Sequence, residues 1–410
     1  MQSTTRESHP PGRMSYREFV AFIAALMATN ALAIDSMLPA LAEIGHDLGL
    51  ASDNQRQWII TAYLLGFGGA QIFYGPVADR FGRKPVLIFG LGMYFLFGAL
   101  AGLANTFETM IIARVAQGVG AAATRVLAVS IVRDCYAGRQ MARVMSMAMI
   151  IFMLVPILAP SFGQAIMLFA PWHWVFGLLA IFGAVVLVWM LLRMPETLHP
   201  QDRRSIDPAG VLAAVRQCFA SREAVGYMLG NTLALGALFG YINSTQQIFS
   251  DVFHAEHLFT TMFALTAGFM AVASLLNARL VERFGMRLLS HTALLGYILV
   301  ALVHFAVALA GFENLATFVA LQACVMFCFG MMSGNFGAMS MQPLGHIAGT
   351  ASSVQGFVTT VGGALAGFWI GQNFDGTTVP MTAGFAICGV LILIVVIITE
   401  KGRLFRPHNA

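Results

Sequence analysis

Twelve apolar runs, each about twenty residues long, leave this chain one environment in which to fold. They lie near 18–40, 57–78, 86–104, 107–132, 142–169, 173–193, 224–249, 259–281, 288–310, 314–339, 347–371 and 379–399. With 58% hydrophobic and only 10% charged residues among 410, the chain has too little polar surface to dissolve as a globule. The expected fold class is therefore an all-α integral membrane protein of twelve transmembrane helices. Its 41 glycines suit helices that must approach closely in lipid, where small residues make the contacts. A polar head of about eighteen residues precedes the first run, with no small-residue cleavage pattern, so that run is read as a retained span.

Two stretches 203 residues apart share a pattern. Gly75-Pro-Val-Ala-Asp-Arg-Phe-Gly-Arg-Lys84 sets Asp79, Arg80, Arg83 and Lys84 between two apolar runs. Glu282-Arg-Phe-Gly-Met-Arg287 repeats its acid, its Arg-Phe-Gly core and its final base. A repeat of that length divides the chain into two homologous six-helix bundles. The expected divisions are a tail at 1–17, bundles at 18–193 and 223–400, a charged linker at 194–222 and a tail at 401–410. Gly75 and Gly82 are expected at tight turns and Pro85 in the first turn of the next helix, giving a short basic hairpin. Within the linker, Ile206–Phe219 is expected to lie on the surface as an amphipathic helix.

Charge orients the chain. With both termini placed on one side, 20 of the 23 Lys and Arg fall in loops and tails of that side, Arg56 alone falls opposite, and Arg114 and Arg125 lie inside a span. By the positive-inside rule that side is the cytoplasm, and the expected location is a bacterial inner membrane. The net charge of +4 is thus explained by topology and needs no nucleic acid.

Candidate chemistry is sparse. Cys324 and Cys328 stand four apart in one span and read as buried structural thiols. His254 and His257 lack the further ligands of a metal site, and His304 stands mid-span with no acid nearby, so it reads as a hydrogen-bonded packing residue. No nucleophile, phosphate-loop or zinc-protease pattern is present, so the chain is not read as an enzyme, and no metal or cofactor is expected. Charges within the membrane are costly and point to function. Asp35 is the one acid well inside a span, and Arg114 lies two turns into the fourth. An embedded carboxyl can trade a proton for a substrate, because desolvation raises its affinity for protons and a cation lowers it. Arg125, about 16 Å further along the helix, admits two readings: snorkelling toward the cytoplasm or a functional role. Tyr63, Phe67 and Gln71 form a stripe on the second span, with Asn231 and Tyr241 on the seventh as opposite candidates for a substrate wall; Asn30, about 140° around the helix from Asp35, is set aside.

The loop Gly75–Lys84, with Pro85-Val-Leu87 after it, resembles the signature of the major facilitator superfamily. Arg114-x-x-Gln117-Gly118-x-Gly120 resembles its fourth-span motif, and Pro156-x-x-Ala159-Pro160-x-x-Gly163-Gln164 its antiporter motif. Asp35-Ser-Met-Leu-Pro39 and Val132-Arg-Asp134-x-Tyr-Ala-Gly138-Arg139 are similar to the bicyclomycin- and chloramphenicol-resistance branch of the drug:proton antiporters. The resemblance implies two bundles rocking about a central cavity. It implies a helix kink at Pro156, Pro160 and Gly163, and a conformational latch of Gly75, Asp79, Arg80, Gly82, Arg83 and Asp134. In that latch Arg83 pairs with Asp134, and Asp79 caps a second-half helix near Gly349. Asp35, with Arg114, would couple protons to a small lipophilic substrate, the proton gradient standing in for any cofactor and the chain acting as a monomer among membrane lipids. The chain departs from the pattern in having Met27 where some relatives keep a second acid, and Ala159-Pro160 in place of Gly-Pro. Neutral or singly charged amphipathic compounds are expected rather than dications. A proton-coupled importer of a small metabolite is the second reading, and its mark would be more embedded polar residues in the second half. A receptor or scaffold would need neither Asp35 nor Arg114.

Overall fold

The structure is a computed structural model that describes residue 12 and residues 14–203 and 208–405. Twelve long helices run through it: α1 Tyr16–Asp35, α2 Trp58–Phe81, α3 Arg83–Gly102, α4 Phe107–Cys135, α5 Gly138–Met167, α6 His173–Arg193, α7 Arg222–Gln247, α8 Phe259–Phe284, α9 Met286–Leu309, α10 Leu315–Met341, α11 Ala348–Gln372 and α12 Val379–Thr399. Ten apolar stretches, one of them holding both α10 and α11, are long and apolar enough to cross a membrane. Gln71 and several glycines make the middle of α2 more polar, and it is packed between α4 and α11. Polar caps mark where helices begin: Ser15 and Glu18 form a capping box on α1, and Ser221 and Asn314 accept from backbone N–H groups of α7 and α10.

The basic hairpin is tighter than its sequence suggests. Helix α2 runs straight through Gly75 and Pro76 to Phe81, and Gly82 alone, at φ 104°, turns the chain into α3. Gly75 is therefore no turn residue; a side chain there would meet Ser353 of α11. The repeat makes the same one-residue turn at Gly285, φ 78°, between α8 and α9. Both positions need a left-handed φ that glycine adopts freely.

Packing repeats as well. In the first bundle α4 lies against α2 and α3, α3 against α6 and α1 against α5; in the second, α10 lies against α8 and α9, α9 against α12 and α7 against α11. These are the same pairs shifted by six helices. Gly66 and Gly118 bring α2 and α4 together backbone to backbone, since a Cβ on either would stand 2.1–2.2 Å from a carbonyl oxygen of the other helix. The linker helix covers Pro208–Ala220, and Cys218 on it packs with Ala224, Met228, Leu344, Ala351 and Val354 of the second bundle. The first residues of the expected linker helix lie outside the described residues. The bundles meet along two seams, α2 with α11 and α5 with α8.

Candidate functional site

Asp35 is the last residue of α1 and is 5% exposed. The chain does not surface after it: Met37, Leu38, Ala40, Leu41 and Ile44 are all buried, which removes the short route by which the carboxylate could snorkel to water. Among the described residues the carboxylate has no hydrogen bond and no ion pair. Beside it α5 sits directly on the backbone: a Cβ on Gly163 would stand 1.8 Å from the Ser36 carbonyl oxygen. Helix α5 continues through Pro156 and Pro160 without a break, and Pro160 is buried with Ala159 and Gly163.

Arg114 does not pair with Asp35. It is fully buried, donates to the carbonyls of Ala33 at 2.9 Å and Ile59 at 3.1 Å and to Gln117 Oε1 at 2.6 Å, and lies 4.4 Å from the Tyr63 ring centroid. Its charge is answered by carbonyl dipoles and a ring face. The effect is to tie the last turn of α1, the first turn of α2 and α4 into one rigid wall next to Asp35.

The five wall candidates divide between separate places. Tyr63 stacks on Phe67 and donates to Asn30 Oδ1 at 3.0 Å, inside the first bundle. Asn30, which the angle from Asp35 had set aside, is thus the partner Tyr63 takes. Gln71 donates across the seam to Thr360 of α11 at 3.3 Å. Asn231 accepts from Ser333 of α10 at 2.8 Å, and Tyr241 meets Thr266 of α8 at 3.1 Å and stacks on Phe263. Each of the last two is engaged within the second bundle.

At the basic end, Arg83 is almost fully buried and holds Asp79 at 2.6 Å and Asp134 at 2.9 Å. Glu196, which no sequence pattern singled out, accepts from the backbone N–H groups of Arg83 and Lys84 at 2.9 and 3.1 Å, seating a carboxylate on the first turn of α3. Arg80 points away and lies over Phe81. Nothing stands within 4 Å of where a Cβ on Gly349 would lie, and among the described residues Asp79 bonds Arg83 and has no hydrogen bond to that turn. The second bundle has its own version of the cluster, with Arg287 on Glu400 at 2.9 Å and Tyr227 donating to the same carboxylate at 2.5 Å.

The opposite end is closed across the seam chiefly by uncharged side chains, with one ion pair. Gln57 donates to Gln247 at 2.6 Å and to the Gly371 carbonyl at 3.0 Å, and Asn54 donates to the Gln372 and Phe374 carbonyls. Gln247 and Gln372 donate back to Asn54. Arg56 faces Asp251 at 3.5 Å, and Thr260 of α8 donates to Gln164 of α5 at 2.5 Å. Both seams are therefore bridged at this end. At the basic end α2 and α11 still touch, whereas Met147, Ile150, Ile151 and Leu154 of α5 and Phe269 and Val272 of α8 remain exposed. Truncating Gln57 to alanine removes three of the bridging bonds, those to Gln247 and the Gly371 carbonyl and the one it accepts from Gln372, worth about 0.5–1.5 kcal/mol each. Cysteines placed at the lock should then label several-fold faster from that side, and unchanged labelling would show that the lock lies elsewhere.

Two expectations need correction. His304 does have an acid nearby: Glu313, in the connection after α9, lies 2.6 Å from Nε2 and also accepts from Thr378, with both members of the pair buried. Cys324 is exposed and Cys328 half-buried, so neither is a fully buried thiol.

The model of the Major Facilitator Superfamily matches residues 20–367. The multidrug resistance protein MdtL of Escherichia coli O81 is 30% identical over 391 residues, 94% of this chain and 96% of its own length. A bicyclomycin resistance protein homolog of Haemophilus influenzae is 28% identical over 388 residues, covering 91% and 94%. An uncharacterized MFS-type transporter of Bacillus subtilis, YdgK, is 30% identical over 379 residues, covering 91% and 93%. Among solved structures, the xylose transporter XylE of E. coli superposes with a TM-score of 0.72 at 12% identity over 96% of this chain and 99% of that one, which speaks for the fold. The chain belongs to the Major Facilitator Superfamily, a family of transporters rather than enzymes. It is a multi-pass membrane protein.

Proposed function

We propose that this protein exports small amphipathic compounds, antibiotics among them, in exchange for protons, by alternating access between its two bundles. The observation that carries the reading is the Asp35 carboxylate, buried without a partner against the α5 seat at Gly163. A carboxyl so placed is free to hold a proton in one step and to answer a substrate in the next. Relatives named for multidrug and bicyclomycin resistance along nearly the whole length support the same reading. The basic end is the cytoplasmic one, as the positive-inside rule requires, so both termini are cytoplasmic and the state described is closed to the outside. Inverted vesicles test the function: an imposed proton gradient should drive uptake of chloramphenicol or bicyclomycin, and a panel of such drugs showing none would refute it.

The Asp79–Arg83–Asp134 cluster acts as the latch of the other state. As the cytoplasmic halves close, the first turn of α11 near Gly349 approaches Asp79, whose carboxylate favours a helix N-terminus. The Asp79 side chain is 41% exposed, so this contact is worth about 1 kcal/mol or less. That suffices where two conformations differ by a few kcal/mol. Asp79→Asn should shift the population toward the inward-open form and slow turnover more than it weakens substrate binding. Normal turnover, with unchanged labelling of cysteines on the cytoplasmic side, would show that the loop serves insertion alone.

A further inference from the structure

Arg125 is the charged residue in the interior of α4 that the account above leaves unused. It precedes the last ten residues of a 29-residue helix and so lies well within the membrane. It is exposed, so the packing of α4 leaves its side chain accessible. Its direction agrees. Thr124, one residue earlier, bonds Thr29 of α1 at 2.7 Å, and Gly118, two turns earlier on almost the same stripe, abuts Tyr63 and Phe67 of α2. Arg125 therefore leaves α4 between α1 and α2. Of the exposed apolar residues of α4, Ile112 and Val115 lie about 80–140° around the helix from it, and Val129, one turn on, about 40°.

Among the described residues no group answers its charge. Among the described residues Arg125 has no hydrogen bond, no ion pair and no aromatic face beneath it. Helices α5, α10 and α11 contain no acid, and the one acid of α7, Glu223, faces Arg287 at 3.8 Å. Toward the basic end, Asp134 is held by Arg83 and Glu18 by Arg193, while Asp35 stands at the level of Arg114, about 16 Å along the helix. An unanswered guanidinium at this depth is costly, and its planar fork suits a carboxylate better than any other side chain does.

We infer that Arg125 is an anion subsite of the export path, taking the carboxylate of amphipathic substrates that enter from the cytoplasmic side. This rests on the export reading and narrows it: the protein handles organic monoanions as well as neutral compounds. The distance of about 16 Å along α4 to Arg114, beside Asp35, gives a substrate two separate stations, Arg125 first and the Asp35 wall second.

Calorimetry on the purified full-length protein in detergent, with 2-naphthoate and its methyl ester as probes, tests this. Naphthoate should bind about tenfold tighter than the ester, and added salt should narrow the gap. Arg125→Gln should remove the preference by weakening naphthoate alone, and Arg125→Lys should restore part of it. A folded Arg125→Lys protein keeps the test valid if the glutamine variant fails to fold. Equal binding of acid and ester by the wild type, no naphthoate binding, or an equal loss of both probes in the variants would overturn the inference. Failure of the export reading would show separately, as wild-type vesicles without gradient-driven drug uptake.

Discussion

Asp35→Asn should reduce gradient-driven export to background while leaving the protein folded and in the membrane. The substitution preserves shape and removes only the titratable proton. In most buried carboxylates this change would also break an ion pair, and a structural loss could mimic a chemical one. Asp35 has no such partner among the described residues, so asparagine forfeits no contact. Arg114 is held by the Ala33 and Ile59 carbonyls and by Gln117, and it stays in place when the carboxylate is neutralised. Expression and thermal unfolding in detergent should therefore match the wild type. Drug counterflow without a gradient should survive better than gradient-driven uptake, since it does not require net proton movement. Normal gradient-driven export by Asp35→Asn would remove this residue from the mechanism.

Gly163→Ala should be nearly as severe for a different reason. The added methyl would stand 1.8 Å from the Ser36 carbonyl oxygen, a backbone atom that no side-chain rotation can move away. Helix α5 must back off from the end of α1, at an overpacking cost of about 1–3 kcal/mol. That retreat loosens the seat of Asp35, and through Gln164 it strains the bond to Thr260 that closes the second seam. Export should fall strongly and the melting temperature should drop. Gly92→Ala is the control, because nothing lies within 4 Å of its added methyl, and it should be silent. If Gly163→Ala transports and melts as the wild type does, the packing of α5 on α1 is not what positions the site.

The parts of the fold that repeat were legible in the sequence because they leave periodic marks. Runs of about twenty apolar residues announce helices, and the recurrence at 203 residues announces paired bundles that the packing of α2–α4 and α8–α10 then displays. Gly82 turns the chain and Gly75 lies under a neighbouring helix, and the two kinds of glycine look alike in one sequence. Asp35 and Arg114 stood out as charges in apolar runs. Their relation did not: spacing cannot show that the guanidinium chooses the carbonyl of Ala33 over the carboxylate two residues away. The glutamine lock leaves no such mark, for a simpler reason. Gln57 and Gln247 are 190 residues apart, each is an ordinary polar residue at a helix end, and only assembly of the two bundles brings them within 2.6 Å. Glu313 lies in a loop outside the ninth span, so the span by itself holds no partner for His304. Contacts between distant segments leave no local signature, and in this protein they hold the gates.

Proton release on substrate binding tests the central claim, that one carboxyl serves proton and substrate in turn. The purified protein is placed in lightly buffered detergent solution with a pH indicator. It is then saturated with an uncharged drug that the vesicle assay shows to be exported, chloramphenicol being the first choice because it brings no proton of its own. Binding is followed independently by tryptophan fluorescence. Wild-type protein should acidify the solution in proportion to the drug bound, and Asp35→Asn should bind without releasing protons. Equal proton release from both proteins, or saturating binding by the wild type with no release, would contradict the account.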